Sequence, residues 1–266
     1  MAATETDQFL QVDGLKTRYR DEGSGPPVVL LHGAAMGSSL DVWDQHYPPL
    51  VASGLRLISY DRPGFGGSDD TDDGSPAFQR AFLLKLMDVL GLDAVGMVGH
   101  SQAGGFVIQL ALDHPERLSR VMVLGTGSLL PPLEGVPPNP PDPSGEASRE
   151  IVRVILEEQL YHHELITPEL VESRYQRALG HSPRPPALNA PATGTPPTPL
   201  WQRLGELEMP LMLIYGEDDR GSVPVRARLL GERYPDLTIW VVPHCKHLVQ
   251  WDASEEFIAA AKNFFA

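Results

Sequence analysis

The stretch Met97-Val98-Gly99-His100-Ser101-Gln102-Ala103-Gly104-Gly105 follows a short apolar run and precedes a helix-like one, so it reads as a strand, a sharp turn and a helix with a serine at the apex. A bend this tight leaves room only for small residues two positions before and after the serine. Gly99 and Ala103 meet that demand, and Gly104 and Gly105 let helix and strand approach closely. A serine so placed stands out from the sheet edge, with the following backbone N–H groups directed at whatever its hydroxyl attacks. The plain alternative is an ordinary strand-to-helix turn with a capping serine. An acid and a histidine in the right order downstream decide between the two.

Upstream, residues 9–20 alternate loosely about an Asp13-Gly14 turn signal and predict a β-hairpin. Pro27 to Leu31 is wholly apolar, too short for a helix, and suits a strand covered on both faces. A helix is expected around Trp43 to Ser53, then a strand over 55–60 and a turn-rich loop, Asp61-Arg-Pro-Gly-Phe-Gly-Gly-Ser68. An amphipathic helix over 77–90, a strand over 94–98, the serine turn, a helix over 102–113 and a strand over 120–124 complete a βαβαβαβ order. Short connections in that order imply a mostly parallel sheet with helices on both faces.

The pattern breaks at Leu130. Residues 131–143 hold seven prolines and 183–199 are again proline-rich; between them lie two helix-like segments separated by Ile166-Thr167-Pro168-Glu169, with Thr167 as N-cap and Pro168 at the first helical position. Two breaker-rich hinges around a helical pair describe an inserted cap over 130–204. The sheet domain, 1–129 and 205–266, resumes with a strand over 210–215, a helix over 225–234, a strand over 237–242 and a helix over 254–265.

Composition narrows the function. The chain has 266 residues, and 21 Lys and Arg stand against 35 Asp and Glu, a net charge of -14, which argues against nucleic acid or an anionic membrane surface as partner. A single cysteine, Cys245, excludes an internal disulfide and a thiolate metal cage. Neither a basic leader with an apolar core nor an apolar run of roughly 20 residues is present, and a cytoplasmic protein is expected. Whether it assembles as a homo-oligomer is left open.

Two loops follow the late strands: Gly216-Glu-Asp-Asp-Arg220 and His244-Cys-Lys-His247. In a parallel sheet both leave the same edge as the serine turn. A serine hydroxyl needs a histidine to take its proton and a carboxylate to hold the imidazole tautomer. His247 is the expected base, with His244 as its structural neighbour; Asp218 and Asp219 both offer the acid. Ala34, after His32-Gly33, and Gln102 supply the N–H groups of an expected oxyanion hole, with His32 shaping the loop. Asp61 reads as a turn residue, Cys245 as packing and Lys246 as solvent-facing. His162 and His163, adjacent on the chain, cannot both face one metal, so no metal or other cofactor is expected.

With these residues in place, the chain resembles the α/β-hydrolase superfamily. The motifs His32-Gly33, Asp61 to Asp69, Gly99 to Gly105, Gly216 to Arg220 and Cys245 to Trp251 stand in the family's order over nearly the whole chain. The resemblance implies a Ser101, Asp219, His247 triad, because family spacing puts the acid three residues after the glycine. The segment Leu165 to Tyr175, followed by Trp201 to Leu207, is similar to the cap of meta-cleavage product hydrolases, which cut carbon–carbon bonds in 2-hydroxy-6-oxo-dienoates. It implies that Arg174 binds the substrate's oxo and carboxylate end. Departures fall on other substrate-facing positions: His100 stands where the family commonly has Asn, Leu248 where it has Trp, Ala34-Ala35-Met36-Gly37 where it has a glycine-rich loop with a polar amide, and the acid loop carries one residue more before Pro224. The expected activity is that of a cofactor-free serine hydrolase acting on a small carbonyl substrate, an ester or a vinylogous 1,5-diketone.

Overall fold

The computed structural model describes residues 8–135, 145–181 and 198–266, so the two proline-rich stretches expected as hinges lie largely outside the described residues. The hairpin is β1 (Gln8–Val12) and β2 (Leu15–Glu22), closed by Asp13 and Gly14 at φ +51° and +82°. Two consecutive left-handed residues match the right-handed twist of the flanking strands, which is why Asp-Gly suits this turn.

The chain then alternates. Strand β3 (Pro27–Leu31) leads through a 3-10 turn (Leu40–His46) to α1 (Tyr47–Val51), β4 (Arg56–Tyr60), α2 (Pro76–Val89), β5 (Val95–His100), α3 (Gln102–Asp113) and β6 (Leu118–Leu124). Two helices follow, α4 (Arg149–Gln159) and α5 (Pro168–Ala178), before β7 (Leu211–Gly216), α6 (Val223–Arg233), β8 (Thr238–Val242), α7 (Val249–Asp252) and α8 (Ser254–Phe265). The sheet order is β1-β2-β4-β3-β5-β6-β7-β8. Strand β2 runs antiparallel to both its neighbours, and every pair from β4 to β8 is parallel.

Burial on both faces explains the uninterrupted apolar strands. Val29 and Leu31 pack with Phe82 of α2, Phe106 of α3 and Leu230 of α6. Val28 and Leu30, pointing the other way, pack with Trp43, Tyr47 of α1 and Phe257 of α8. The helix expected over 43–53 is corrected: its first part is the 3-10 turn, and α1 covers only five residues. Pro48 and Pro49 lack the N–H that a helix interior needs and fit only in the first turn, so the α-helix cannot start before Tyr47.

Between β6 and β7, α4 and α5 form a third apolar cluster. Ser148 and Thr167 cap them, accepting from the N–H groups of Ile151 at 3.1 Å and Leu170 at 3.2 Å. Val152, Ile155 and Leu156, at helical spacing on α4, pack with Val171 of α5 and with Ala35, Met36 and Leu248. The helical pair therefore rests on the loops after β3 and β8, over the edge where the parallel strands end.

Candidate active site

Ser101 sits between β5 and α3 with φ 57° and ψ -124°, an unfavourable backbone for an L-residue that costs on the order of 1–3 kcal/mol. The surroundings enforce it. Ser101 N–H donates to the Leu124 carbonyl at 2.8 Å and Thr126 Oγ1 donates to the Ser101 carbonyl at 2.6 Å. A Cβ on Gly99 would lie 2.8 Å from Gly104 Cα, and one on Gly104 would collide with Thr126 and Val123. Gly105 has no such neighbour: its nearest would be Ser128 Oγ at 3.9 Å. Of the small residues around the turn, Gly99 and Gly104 carry the close approach.

The loops after β7 and β8 meet this turn. His247 Nε2 lies 2.8 Å from Ser101 Oγ, and its Nδ1 lies 2.9 Å from Asp219 Oδ2. The other Asp219 oxygen accepts from the Arg220 N–H at 2.7 Å. Burial pushes the Asp219 carboxyl up, but the facing His247, its hydrogen bond and the Arg220 amide outweigh that and hold it below the ordinary range. An ionised Asp219 keeps the proton on His247 Nδ1 and leaves Nε2 free to take one from the serine. Asp218 is exposed and contributes its N–H to the Cys245 carbonyl. His244 is also exposed and packs against Tyr161, outside the site. Cys245 is buried, and burial pushes its thiol up to about 12, as a packing residue. His162 and His163 contact separate groups, the Glu164 carboxylate and the Glu157 carbonyl.

A cleft of about 180 Å³ opens over Ser101, lined among others by Ala34, His100, Gln102, Arg174 and Leu248. All five residues expected around the substrate are thus brought to one cavity. Arg174 donates to Ser38 Oγ at 3.2 Å and Gln159 Oε1 at 3.3 Å, so its guanidinium is oriented by two neutral acceptors on the cleft wall. Gly37 packs so tightly on the Arg174 backbone that any side chain there would collide with its carbonyl. His100 Nε2 donates to the His247 carbonyl at 3.0 Å; burial first, then the neighbouring His247, pushes its imidazole down to about 3. It is therefore neutral, with Nδ1 as a bare acceptor. The Leu248 N–H donates to the Gln159 carbonyl at 2.9 Å, tying the His247 loop to α4.

Other positions differ from what their neighbours in sequence imply. Asp61 leads into its turn as expected, but its side chain faces the interior. It is fully buried, pairs with Arg18 at 3.1 Å and accepts from the N–H groups of Leu40 at 2.6 Å and Gly67 at 2.7 Å. Lys246 is half-buried and donates to the Glu157 carbonyl of α4 at 2.9 Å. Asp252 joins in, accepting from Lys246, Tyr161 and His162 N–H groups near 3.0 Å. Sequence reasoning missed Gln159, which lines the cleft, and Arg62, which is buried beneath it. The signal for Arg62 was a second charged residue directly after Asp61, just past the end of a strand at the edge that carries the serine.

Comparison with known proteins bears on the fold and the family. A model of the alpha/beta hydrolase fold matches residues 26–157. The chain is 29% identical to a 2-hydroxy-6-oxo-6-phenylhexa-2,4-dienoate hydrolase of Burkholderia cepacia, over 100% of this chain and 98% of that protein. It is 30% identical to a 2-hydroxy-6-oxononadienedioate/2-hydroxy-6-oxononatrienedioate hydrolase of Comamonas testosteroni, over 98% of this chain and 96% of the relative. Among solved structures, a meta-cleavage product hydrolase from Pseudomonas fluorescens superposes with a TM-score of 0.76 at 24% identity, covering 97% of each chain. An esterase from Exiguobacterium antarcticum gives a TM-score of 0.78 at 20% identity, covering 97% of this chain and 98% of its own. A full-length match at 30% identity, on a sheet of this order with a serine at its central turn, establishes that the chain belongs to the α/β-hydrolase family, among the relatives of the meta-cleavage product hydrolases.

Proposed function

We propose that the protein is a cofactor-free serine hydrolase that cleaves a small carbonyl substrate, a carboxylic ester or the carbon–carbon bond of a vinylogous 1,5-diketone, through an acyl-enzyme. The observation that carries this is the unbroken relay from Ser101 Oγ to His247 Nε2 at 2.8 Å and from His247 Nδ1 to Asp219 at 2.9 Å, facing a cleft. Ser101 attacks the carbonyl, His247 takes its proton and returns it to the leaving group, Asp219 orients the imidazole, and the amides of Ala34 and Gln102 receive the oxyanion. Water then releases the acid. In the carbon–carbon case the dienol first becomes the keto form, so that a stabilised carbanion can leave.

Arg174 on the cleft wall suits a substrate with a carboxylate, since a guanidinium offers two parallel donors to one. Residues 130–204 act as the cap, and the acidic chain works in the cytoplasm without nucleic acid or membrane as partner. Among the described residues no helix is long and apolar enough to cross a membrane. The test is turnover of a neutral aryl ester and of a 2-hydroxy-6-oxo-dienoate by wild type and by Ser101→Ala, with fluorophosphonate labelling of Ser101. Loss of both in the variant, with one water added per product pair by mass, is expected. Turnover retained by Ser101→Ala would refute the covalent route.

A further inference from the structure

One peptide beside the serine is held from behind. The Gly33 carbonyl accepts two hydrogen bonds, from Arg62 Nη2 at 2.6 Å and from His32 Nδ1 at 2.7 Å. The His32 tautomer follows from its other side, where Nε2 accepts the backbone N–H of Arg62 at 3.1 Å and therefore carries no proton. Burial first, and then the charge of Arg62, keeps this imidazole neutral. Arg62 and His32 thus close a ring of hydrogen bonds around a single carbonyl.

That carbonyl belongs to the peptide whose N–H is Ala34. In a planar trans peptide the C=O and N–H point in opposite directions, so fixing one aims the other, and drawing electron density toward the oxygen makes the N–H a stronger donor. The peptide abuts the serine: a Cβ on Gly33 would lie 3.2 Å from Ser101 Cβ. Arg62 Nη1 also reaches the second donor residue, meeting Gln102 Oε1 at 3.2 Å. One guanidinium therefore holds the peptide that carries the Ala34 N–H, through the Gly33 carbonyl, and the side chain of Gln102.

The guanidinium is itself unusual. It is completely buried, lies 4.7 Å from the Phe65 ring centroid and 5.3 Å from that of Phe106, and pairs with no carboxylate among the described residues. A buried cation without a counter-ion is costly, and the cost falls when a negative charge forms nearby. In the acyl-transfer cycle such a charge forms only on the substrate oxygen.

We infer that Arg62 is a positioning residue of the oxyanion hole, which aims and polarises the Ala34 amide through the Gly33 carbonyl, holds Gln102, and supplies charge complementary to the tetrahedral intermediate. The inference rests on the proposed roles of Ser101 and these two amides.

The test compares wild type, Arg62→Met and Arg62→Lys on a small neutral ester and with phenylboronic acid, which serine converts to a tetrahedral anion. Arg62→Met is expected to lower kcat about 100-fold, the scale seen when one oxyanion donor is lost, with KM changed less than about threefold. Boronate affinity should fall by a factor similar to that in kcat/KM, and Arg62→Lys, which keeps charge but not the fork, should fall between. A kcat within about threefold of wild type, a loss carried by KM, or unchanged boronate affinity would overturn the inference. Should both variants fail to fold, the guanidinium 15N resonances of wild type decide: those of Arg62 must move when boronate binds while those of Arg18 stay, and a static Arg62 overturns it. A wild type that neither turns over ester nor binds boronate defeats the nucleophile itself, an outcome distinct from failure of Arg62 alone.

Discussion

A Cβ placed on Gly104 would collide with Thr126 Oγ1, the hydroxyl that holds the Ser101 carbonyl at 2.6 Å. Helix α3 can approach β6 this closely only because residue 104 has no side chain. Gly104→Ala should therefore cost about 1–3 kcal/mol of stability through overpacking and, by tilting the serine turn, reduce ester turnover as well. Gly105→Ala should do the reverse. Its new methyl meets nothing nearer than 3.9 Å, and alanine in a helix interior is favoured over glycine by about 0.5–1 kcal/mol. Urea unfolding of the two variants checks the opposite signs.

Arg18 and Asp61 form a buried ion pair extended outward by Asp41, which also pairs with Arg177 of α5 at 2.7 Å. Asp61→Asn leaves Arg18 paired with Asp41 but sets an amide NH2 against the donors that Asp61 accepts from, and is expected to cost about 1–3 kcal/mol. Lys85→Ala breaks the pair with Asp13, where both side chains are half exposed, and should stay within about 1 kcal/mol of wild type. Urea midpoints of both variants at low salt test the contrast.

Arg174 serves substrate selection in the proposed function, so its loss should separate substrates by charge. Arg174→Gln is expected to raise KM for a carboxylate-bearing dienoate by about 10- to 100-fold, the equivalent of a charge-assisted hydrogen bond of roughly 1.5–3 kcal/mol. Neutral esters of similar size should change less than about threefold. Steady-state kinetics on the matched pair decide it: equal losses on both would mean that Arg174 supports the cap rather than the substrate.

The strands, their order and the serine turn were legible because each depends on local pattern: apolar runs, glycine spacing and Asp-Gly at the hairpin. Ser101 and His247 were legible because a parallel sheet brings successive strand ends to one edge, whereas the choice of Asp219 over Asp218 came from the family resemblance. What stayed hidden depends on partners far along the chain. Arg62 reaches Gly33 and Gln102 across 29 and 40 residues, and neither bond leaves a spacing to read. Asp61 looks like a turn aspartate until Arg18, 43 residues earlier, is packed against it. The shortened α1 was legible in principle, since Pro48 and Pro49 already forbade the longer helix.

Three buried histidines weaken the fold in acid. Burial pushes His46 down to about 4 and His100 down to about 3, and lowers His32 as well, whereas an unfolded histidine titrates near 6.5. Between these values the unfolded chain binds protons that the folded chain refuses. Stability should therefore be fully present above about pH 6.5 and fall as the pH drops toward 4, by on the order of 3 kcal/mol for His46 alone. His46 Nε2 donates to the Gln250 carbonyl at 2.7 Å, within a core layer against Trp43 and Phe257, so its imidazole can be replaced without touching the cleft. Asp44, which burial and then Asp41 push up to about 6, takes up a proton in the folded chain over the same range and offsets part of this fall in stability. The contribution of His46 is therefore read from the difference in urea midpoints between wild type and His46→Gln from pH 7 to pH 4.5. His46→Gln should reduce the slope of stability against pH by about 1.4 kcal/mol per pH unit, the value for one proton. An unchanged slope in the variant would show that His46 is protonated in the folded protein over this range.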